Sequence, residues 1–89
     1  MDFEWDESKR LLNIRVHRID FVDAVQLFDG RPVFTHYTPR DGEHRWGTVG
    51  LINSKFFLVV WTWRGERMRI ISAHRADDWE IREYRTLHG

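Results

Sequence analysis

The chain predicts an α+β domain, and three observations carry that prediction. Its first 30 residues hold two capped, helix-spaced segments. Residues 33–73 hold β-rich runs joined by two-residue turn signals. A third helix-forming segment closes the chain. With 89 residues there is length for one domain and one modest core, so residues 1–89 are read as a single domain.

The elements follow in order. Phe3-Glu4-Trp5 reads as a short strand or extended lead-in. Asp6 then caps a helix over 7–18, because its carboxylate accepts the free N–H groups of a first turn. Leu12, Val16 and Ile19 fall at helical spacing, widened by Leu11 and Ile14, and predict its buried stripe. Asp20 caps a second helix, with Asp23 placed as in a capping box and Phe21, Ala24, Val25 and Phe28 on one face. That helix stops at Asp29-Gly30. Val33–Tyr37 reads as a strand and Thr38-Pro39-Arg40-Asp41-Gly42 as a loop. Strands over 45–52, 55–63 and 67–73 are separated by Asn53-Ser54 and Gly65-Glu66, which makes an antiparallel meander. Asp77 or Asp78 caps the last helix, which bears Trp79, Tyr84 and Leu87.

Composition sets limits on function. The chain has 14 basic and 14 acidic residues, so a polybasic coat is excluded. A hydrophobic content of 42% excludes disorder. The absence of cysteine removes disulfides, thiolate catalysis and cysteine-based zinc sites, and suits a cytoplasmic protein. The acidic opening Met1–Asp6 lacks the basic region of a signal peptide, and no apolar run approaches the length of a membrane span. His36 and His44 bracket a loop with Asp41 and Glu43, yet without metal-ligand spacing, so neither a metal nor another cofactor is assigned.

The zero is uneven along the chain. Residues 1–30 carry seven acids and four bases, 31–76 eight bases and three acids, and 77–89 four acids and two bases. The excess positive charge sits in the strands, and 12 of the 14 bases are arginine, whose planar fork grips phosphate. A two-residue turn at Gly65-Glu66 sets Arg64 opposite Arg67, Trp63 opposite Met68, Thr62 opposite Arg69, Trp61 opposite Ile70 and Val60 opposite Ile71. Trp61, Trp63, Met68, Ile70 and Ser72 then share one face, and Arg64, Arg67 and Arg69 the other. Arg75 continues the same parity toward the last helix. Facing arginines destabilise a sheet unless they are solvated or hold an anion.

Several motifs together resemble the BrnT toxin family: Phe3-Glu4-Trp5-Asp6 with Lys9 and Asn13, Phe21-x-x-Ala24-x-x-x-Phe28-Asp29, Glu43-x-Arg45 with Gly50, Thr62-x-Arg64, Arg69-Ile70-Ile71-Ser72-Ala73, and Glu80-x-x-x-Tyr84. The likeness runs from about residue 3 to 84. It implies a RelE-like fold and a type II toxin acting as an endoribonuclease. It also implies a BrnA-like ribbon-helix-helix antitoxin that forms a heterotetramer with the toxin and meets operator DNA on its behalf. Where the family's first helix ends Lys-His-Gly, this chain has Val16-His17-Arg18. Where two basic residues usually follow the Ser-Ala pair, it has His74-Arg75, and Asp77-Asp78-Trp79 replaces a stretch that is often basic.

Cleaving RNA without a metal needs a base for the 2′-OH, cations around phosphorus and an acid for the leaving 5′-oxygen. Arg64, Arg69 and Arg75 are the candidate cations, His17 and His74 the proton carriers, and Tyr84 a phosphate-orienting group or weak acid. Lys9, Arg45 and Arg67 are assigned to RNA contact, and Glu43 and Glu80 to orienting other groups. Each has a plainer alternative: His17 as a turn histidine, Tyr84 as core, Glu43 and Arg45 as an ordinary ion pair, and the tryptophans as packing. A non-catalytic interaction protein derived from such a toxin is the competing function.

Overall fold

The computed structural model describes residues 1–89. The elements are β1 (Phe3–Glu4), α1 (Glu7–His17), α2 (Phe21–Ala24) running into a 3₁₀ turn (Val25–Phe28), β2 (Phe34–Tyr37), β3 (Trp46–Ile52), β4 (Lys55–Arg64), β5 (Arg67–Arg75) and α3 (Asp78–His88). The α+β class and the meander β3–β5 are as the sequence predicts, and the expected strand at Val33–Tyr37 joins it as β2, antiparallel to β3. The sheet itself is mixed, in the order β1-β5-β4-β3-β2. The Phe3-Glu4 lead-in is a true strand, paired parallel to β5 through Phe3–Met68 and Glu4–Arg69.

Local chemistry explains most boundaries. Asp6 accepts from the N–H groups of Ser8 at 2.9 Å and Lys9 at 3.3 Å and starts α1. Its carboxyl is held below the ordinary range, first by the Ser8 hydroxyl and then by the Lys9 backbone N–H. Asp20 starts α2 by accepting from Val22 N–H. The capping box forms at α3: Asp77 is the N-cap, and Glu80 accepts its backbone N–H at 2.9 Å. Asn53 and Ser54 both take positive φ, the mirror-image turn that joins β3 to β4. At the next hairpin only the first of the two loop residues, Gly65, is positive at φ 60°. The second predicted helix is tighter than expected, changing from α to 3₁₀ after one turn.

Two layers cover the sheet. α2 and the 3₁₀ turn lay Phe21, Ala24 and Leu27 against Val59, Trp61, Met68, Ile70 and Ala73 on the inner face. Trp61 stacks on Trp46 at 5.1 Å and donates its indole N–H to Thr48 at 2.9 Å. α3 covers one end of the opposite face, where Tyr84 meets Val49 and Leu58. Gly47 leaves room there: a Cβ at that position would lie 2.7 Å from Leu58 and 3.0 Å from the His36 ring. The rest of that second face is open.

The helix α1 corrects a prediction. Leu11, Leu12 and Val16 are exposed at 55%, 52% and 57%, and are not core. The helix lies along the edge of β5 beyond β1 and is fastened by polar groups. Asn13 is its buried residue; its amide donates to Ile19 C=O at 2.9 Å and Ala73 C=O at 2.8 Å, and its oxygen accepts Ala73 N–H at 3.1 Å. Arg10 anchors the same side to Asp20 at 2.8 Å. A helix tied to an edge by a side chain buries only a narrow strip.

A second correction concerns β5. The pairs from Arg64–Arg67 to Trp61–Ile70 are as predicted, but a bulge follows and Val60 pairs with Ser72, not Ile71. One extra residue exchanges the faces beyond it. Ser72 and His74 join the open face, whereas Arg75 turns to the inner side over the Phe57 ring at 5.7 Å.

Two substitutions test these assignments by urea and thermal unfolding. Asn13→Ala strands buried amide and carbonyl groups and should lower stability by about 3 kcal/mol. Arg18 ends α1 in the left-handed conformation, φ 60° and ψ 30°. Arg18→Gly should therefore raise stability by about 1 kcal/mol, or Tm by roughly 5 °C.

Candidate functional site

The open face of β4 and β5 carries the site. Two neighbouring hollows mark it, and a third lies at the hairpin end of the sheet. One, of about 350 Å³, is lined by Arg40, Arg45, Val60, Ile71, Ser72 and His74, with Thr38 and Pro39 at its rim. A second, of about 290 Å³, lies between α1 and β5 and is lined by Lys9, Leu12, Asn13, Val16, His17, Ile71 and Ser72. The shared residues Ile71 and Ser72 make the bulge a low ridge between the two. The third, of about 510 Å³, lies toward the Gly65 hairpin and includes Glu43, His44, Trp46, Trp63 and Arg64.

His17 and His74 meet at the first two hollows, with ring centroids 5.3 Å apart. Their proximity is geometric: His17 is one helical turn beyond Asn13, and His74 directly follows the Ala73 that Asn13 grips. The His74 Nδ1 lies 3.0 Å from the Arg75 carbonyl. A carbonyl only accepts, so Nδ1 carries the hydrogen and Nε2 is left with a free lone pair in the neutral ring.

Carboxylates organise the cations. Glu43 accepts from Arg45 at 2.7 Å and Arg64 at 3.4 Å. Its carboxyl is held below the ordinary range, chiefly by the Arg45 hydrogen bond, with further attraction from Arg45, Arg64 and Lys9. Glu43 thus holds two arginines at once. Arg69 is gripped by Glu4 at 2.7 Å across the β1–β5 pair. Arg67 is exposed near the hairpin tip, opposite Arg64.

Three expected members lie elsewhere. Arg75 is on the other face, its Nε donating to Phe56 C=O at 3.3 Å. Tyr84 is core, edge-on to Phe56 at 5.0 Å. Glu80 orients no arginine: it is 1% exposed and bonds the His36 Nε2 at 2.6 Å. That bond engages one histidine of the weak metal motif, and the Tyr37 hydroxyl engages His44 at 2.5 Å. Conversely, Arg40 and Ser72 line the His74 hollow without having been singled out. Arg40 arrives because the 38–45 loop folds back on itself, Thr38 N–H bonding Arg45 C=O at 2.8 Å. Ser72 arrives through the bulge.

Fold and site together define a small α+β protein with an open sheet face carrying paired imidazoles among arginines. Residues 5–80 match the family model described as ribonuclease toxin, BrnT, of type II toxin–antitoxin system, and the chain belongs to that family. The family supplies the class of activity, a ribonuclease, together with an RNA substrate and an antitoxin partner. No curated protein matches the sequence. No helix is long and apolar enough to cross a membrane.

The Glu4–Arg69 pair yields a direct test. Glu4→Gln frees one guanidinium on the open face. Affinity for a labelled single-stranded RNA, read by fluorescence anisotropy, should rise about threefold, and the salt slope should steepen by about 0.7.

Proposed function

We propose that the chain is a metal-independent endoribonuclease that cuts RNA and so arrests translation, its scissile phosphate lying over the Ile71–Ser72 ridge. The observation that carries this reading is the His17–His74 pair, 5.3 Å apart and flanked by Arg40 and Arg45. His74 takes the 2′-OH proton at Nε2. The 2′ oxygen bonds to phosphorus, the bond from phosphorus to the 5′ oxygen breaks, and protonated His17 gives its proton to that leaving oxygen. The products are a 2′,3′-cyclic phosphate and a 5′-OH end. Arg45, positioned by Glu43, and Arg40 stabilise the charge that builds on the phosphate oxygens. Lys9, Arg64, Arg67 and Arg69 hold the flanking backbone. A BrnA-like ribbon-helix-helix antitoxin restrains the enzyme in a heterotetramer and carries the contacts with operator DNA. The RelE-like fold and a cytoplasmic site of action belong to the same reading.

A second reading, a non-catalytic derivative retaining only partner binding, is favoured by one observation. Arg69 is engaged by Glu4 and Arg75 faces away, so the open face holds fewer free cations than its sequence carries.

The deciding experiment is RNA cleavage by the purified chain in EDTA. The enzyme reading expects cyclic-phosphate ends and a loss of at least about 100-fold in His74→Ala and in His17→Ala, with unfolding unchanged. Intact RNA at high protein concentration, together with harmless expression in growing cells, would establish the non-catalytic reading instead.

A further inference from the structure

Arg45, Arg64 and Arg69 on the open face are each held by a carboxylate. Three cations at the start of β4 are not. A hollow of about 280 Å³ lies just past the end of α1, with the exposed Arg18 and Lys55 on its wall and Ile19, Ile52 and Phe57 beneath them. Lys55 and Phe57, two residues apart, point to the same side of β4. Arg75 stands opposite Phe57 across the β4–β5 pair, its guanidinium 5.7 Å from the ring. None of Arg18, Lys55 and Arg75 takes part in an ion pair, and neither does Asp23, the one carboxylate in the hollow. Like charges gathered in this way repel, and an anion bound among them removes that cost.

Position gives these cations a meaning. Arg18 directly follows His17 and Arg75 directly follows His74, so both members of the imidazole pair lead into the hollow. Unpaired cations around an aromatic floor suit a chain of phosphates that carries flat rings: the phosphates meet the guanidinium and ammonium groups, and a ribose or base covers Phe57.

We propose that this hollow binds the RNA backbone on the 3′ side of the cut. The direction rests on the proton roles given above. His17 protonates the leaving 5′ oxygen, so the departing nucleotide lies on the His17 side. Its strand continues past the end of α1 to Arg18, Lys55 and Arg75. The cations act on the substrate's hold and direction, and the imidazoles on the bond that breaks.

The test uses the full-length chain and a fluorescein-labelled 2′-O-methyl RNA, which keeps the phosphates and cannot be cut. Binding is followed by anisotropy across a salt series. Arg18→Gly/Lys55→Gln removes two of the three cations, and its first change alone is expected to strengthen the fold. Arg82→Gln on α3 removes an exposed cation outside the hollow and is the control. The proposal expects the double variant to bind about tenfold more weakly, with a salt slope shallower by about 1.4, the value for two phosphate contacts on a single strand. The control should match the parent. In cleavage assays with the cut position mapped, kcat/KM of the double variant should fall about tenfold on substrates that extend 3′ of the cut, and the loss should vanish as those nucleotides are removed. Unchanged affinity and slope would overturn the proposal, as would a parent chain that binds no RNA or a loss that follows the nucleotides 5′ of the cut. An unchanged slope together with weakened binding of the antitoxin would overturn it in favour of a protein occupant. Failure of the enzyme reading looks different: RNA stays intact with every variant, while the salt slope still decides what the hollow binds.

Discussion

A single carboxamide sets the geometry on which the rest depends. Asn13 answers both the N–H and the C=O of Ala73, as a neighbouring strand would, and also takes the carbonyl of Ile19. β1 pairs with β5 only at Met68 and Arg69, so beyond that point the edge of β5 would be bare. A side chain from a helix closes it. Three hydrogen bonds to buried backbone groups fix α1 in position and orientation with almost no help from apolar packing. Because Ala73 lies just past the bulge, the clamp also fixes which residues of α1 overlook Ser72 and His74. The imidazole pair is a consequence of where one amide sits.

The charges show similar economy. The strand-rich stretch carries the excess of arginine, yet much of it is matched in space by carboxylates that lie far away in sequence or in neighbouring turns. Glu4 reaches Arg69 from the parallel edge strand, and Glu43 serves Arg45 and Arg64 together. Arg31 bonds Asp29 and the Leu51 carbonyl at the opposite corner. The matching reaches the hollow beside His74 as well: of the two arginines that line it, Arg45 is held by Glu43 at 2.7 Å and Arg40 approaches Asp41 at 3.8 Å. A net charge of zero is thus reached largely by pairing across the sheet face itself.

What was legible in the sequence was the chemistry that acts over a few residues. Asp6, Asp20 and Asp77 start helices because a carboxylate two or three residues ahead of free N–H groups has only local work to do. The turns Asn53-Ser54 and Gly65-Glu66 fix their hairpins for the same reason, and the first four pairs of the second hairpin follow by counting. Counting fails at Trp61, where the bulge adds a residue that no alternation of side chains announces, and with it Arg75 and Ser72 change sides. Periodicity fails differently in α1. A spacing of three and four shows that Leu12 and Val16 share a side of the helix, but not whether anything in the same chain covers that side. His17 and His74 were nameable from residue type alone; their contact was not, since it runs through Asn13.

The order of the strands has a consequence in time. β1 finds its place beside β5 across 65 residues, and the Asn13 clamp closes across 60. Contacts of that span form after the local hairpins, because closing a long loop costs entropy that only a finished partner strand offsets. During synthesis α1 emerges well before β5 and His74. The two imidazoles therefore remain strangers until the chain has been made through His74 and β5 has joined the sheet, and a nascent chain shorter than that lacks the paired histidines that the folded one possesses.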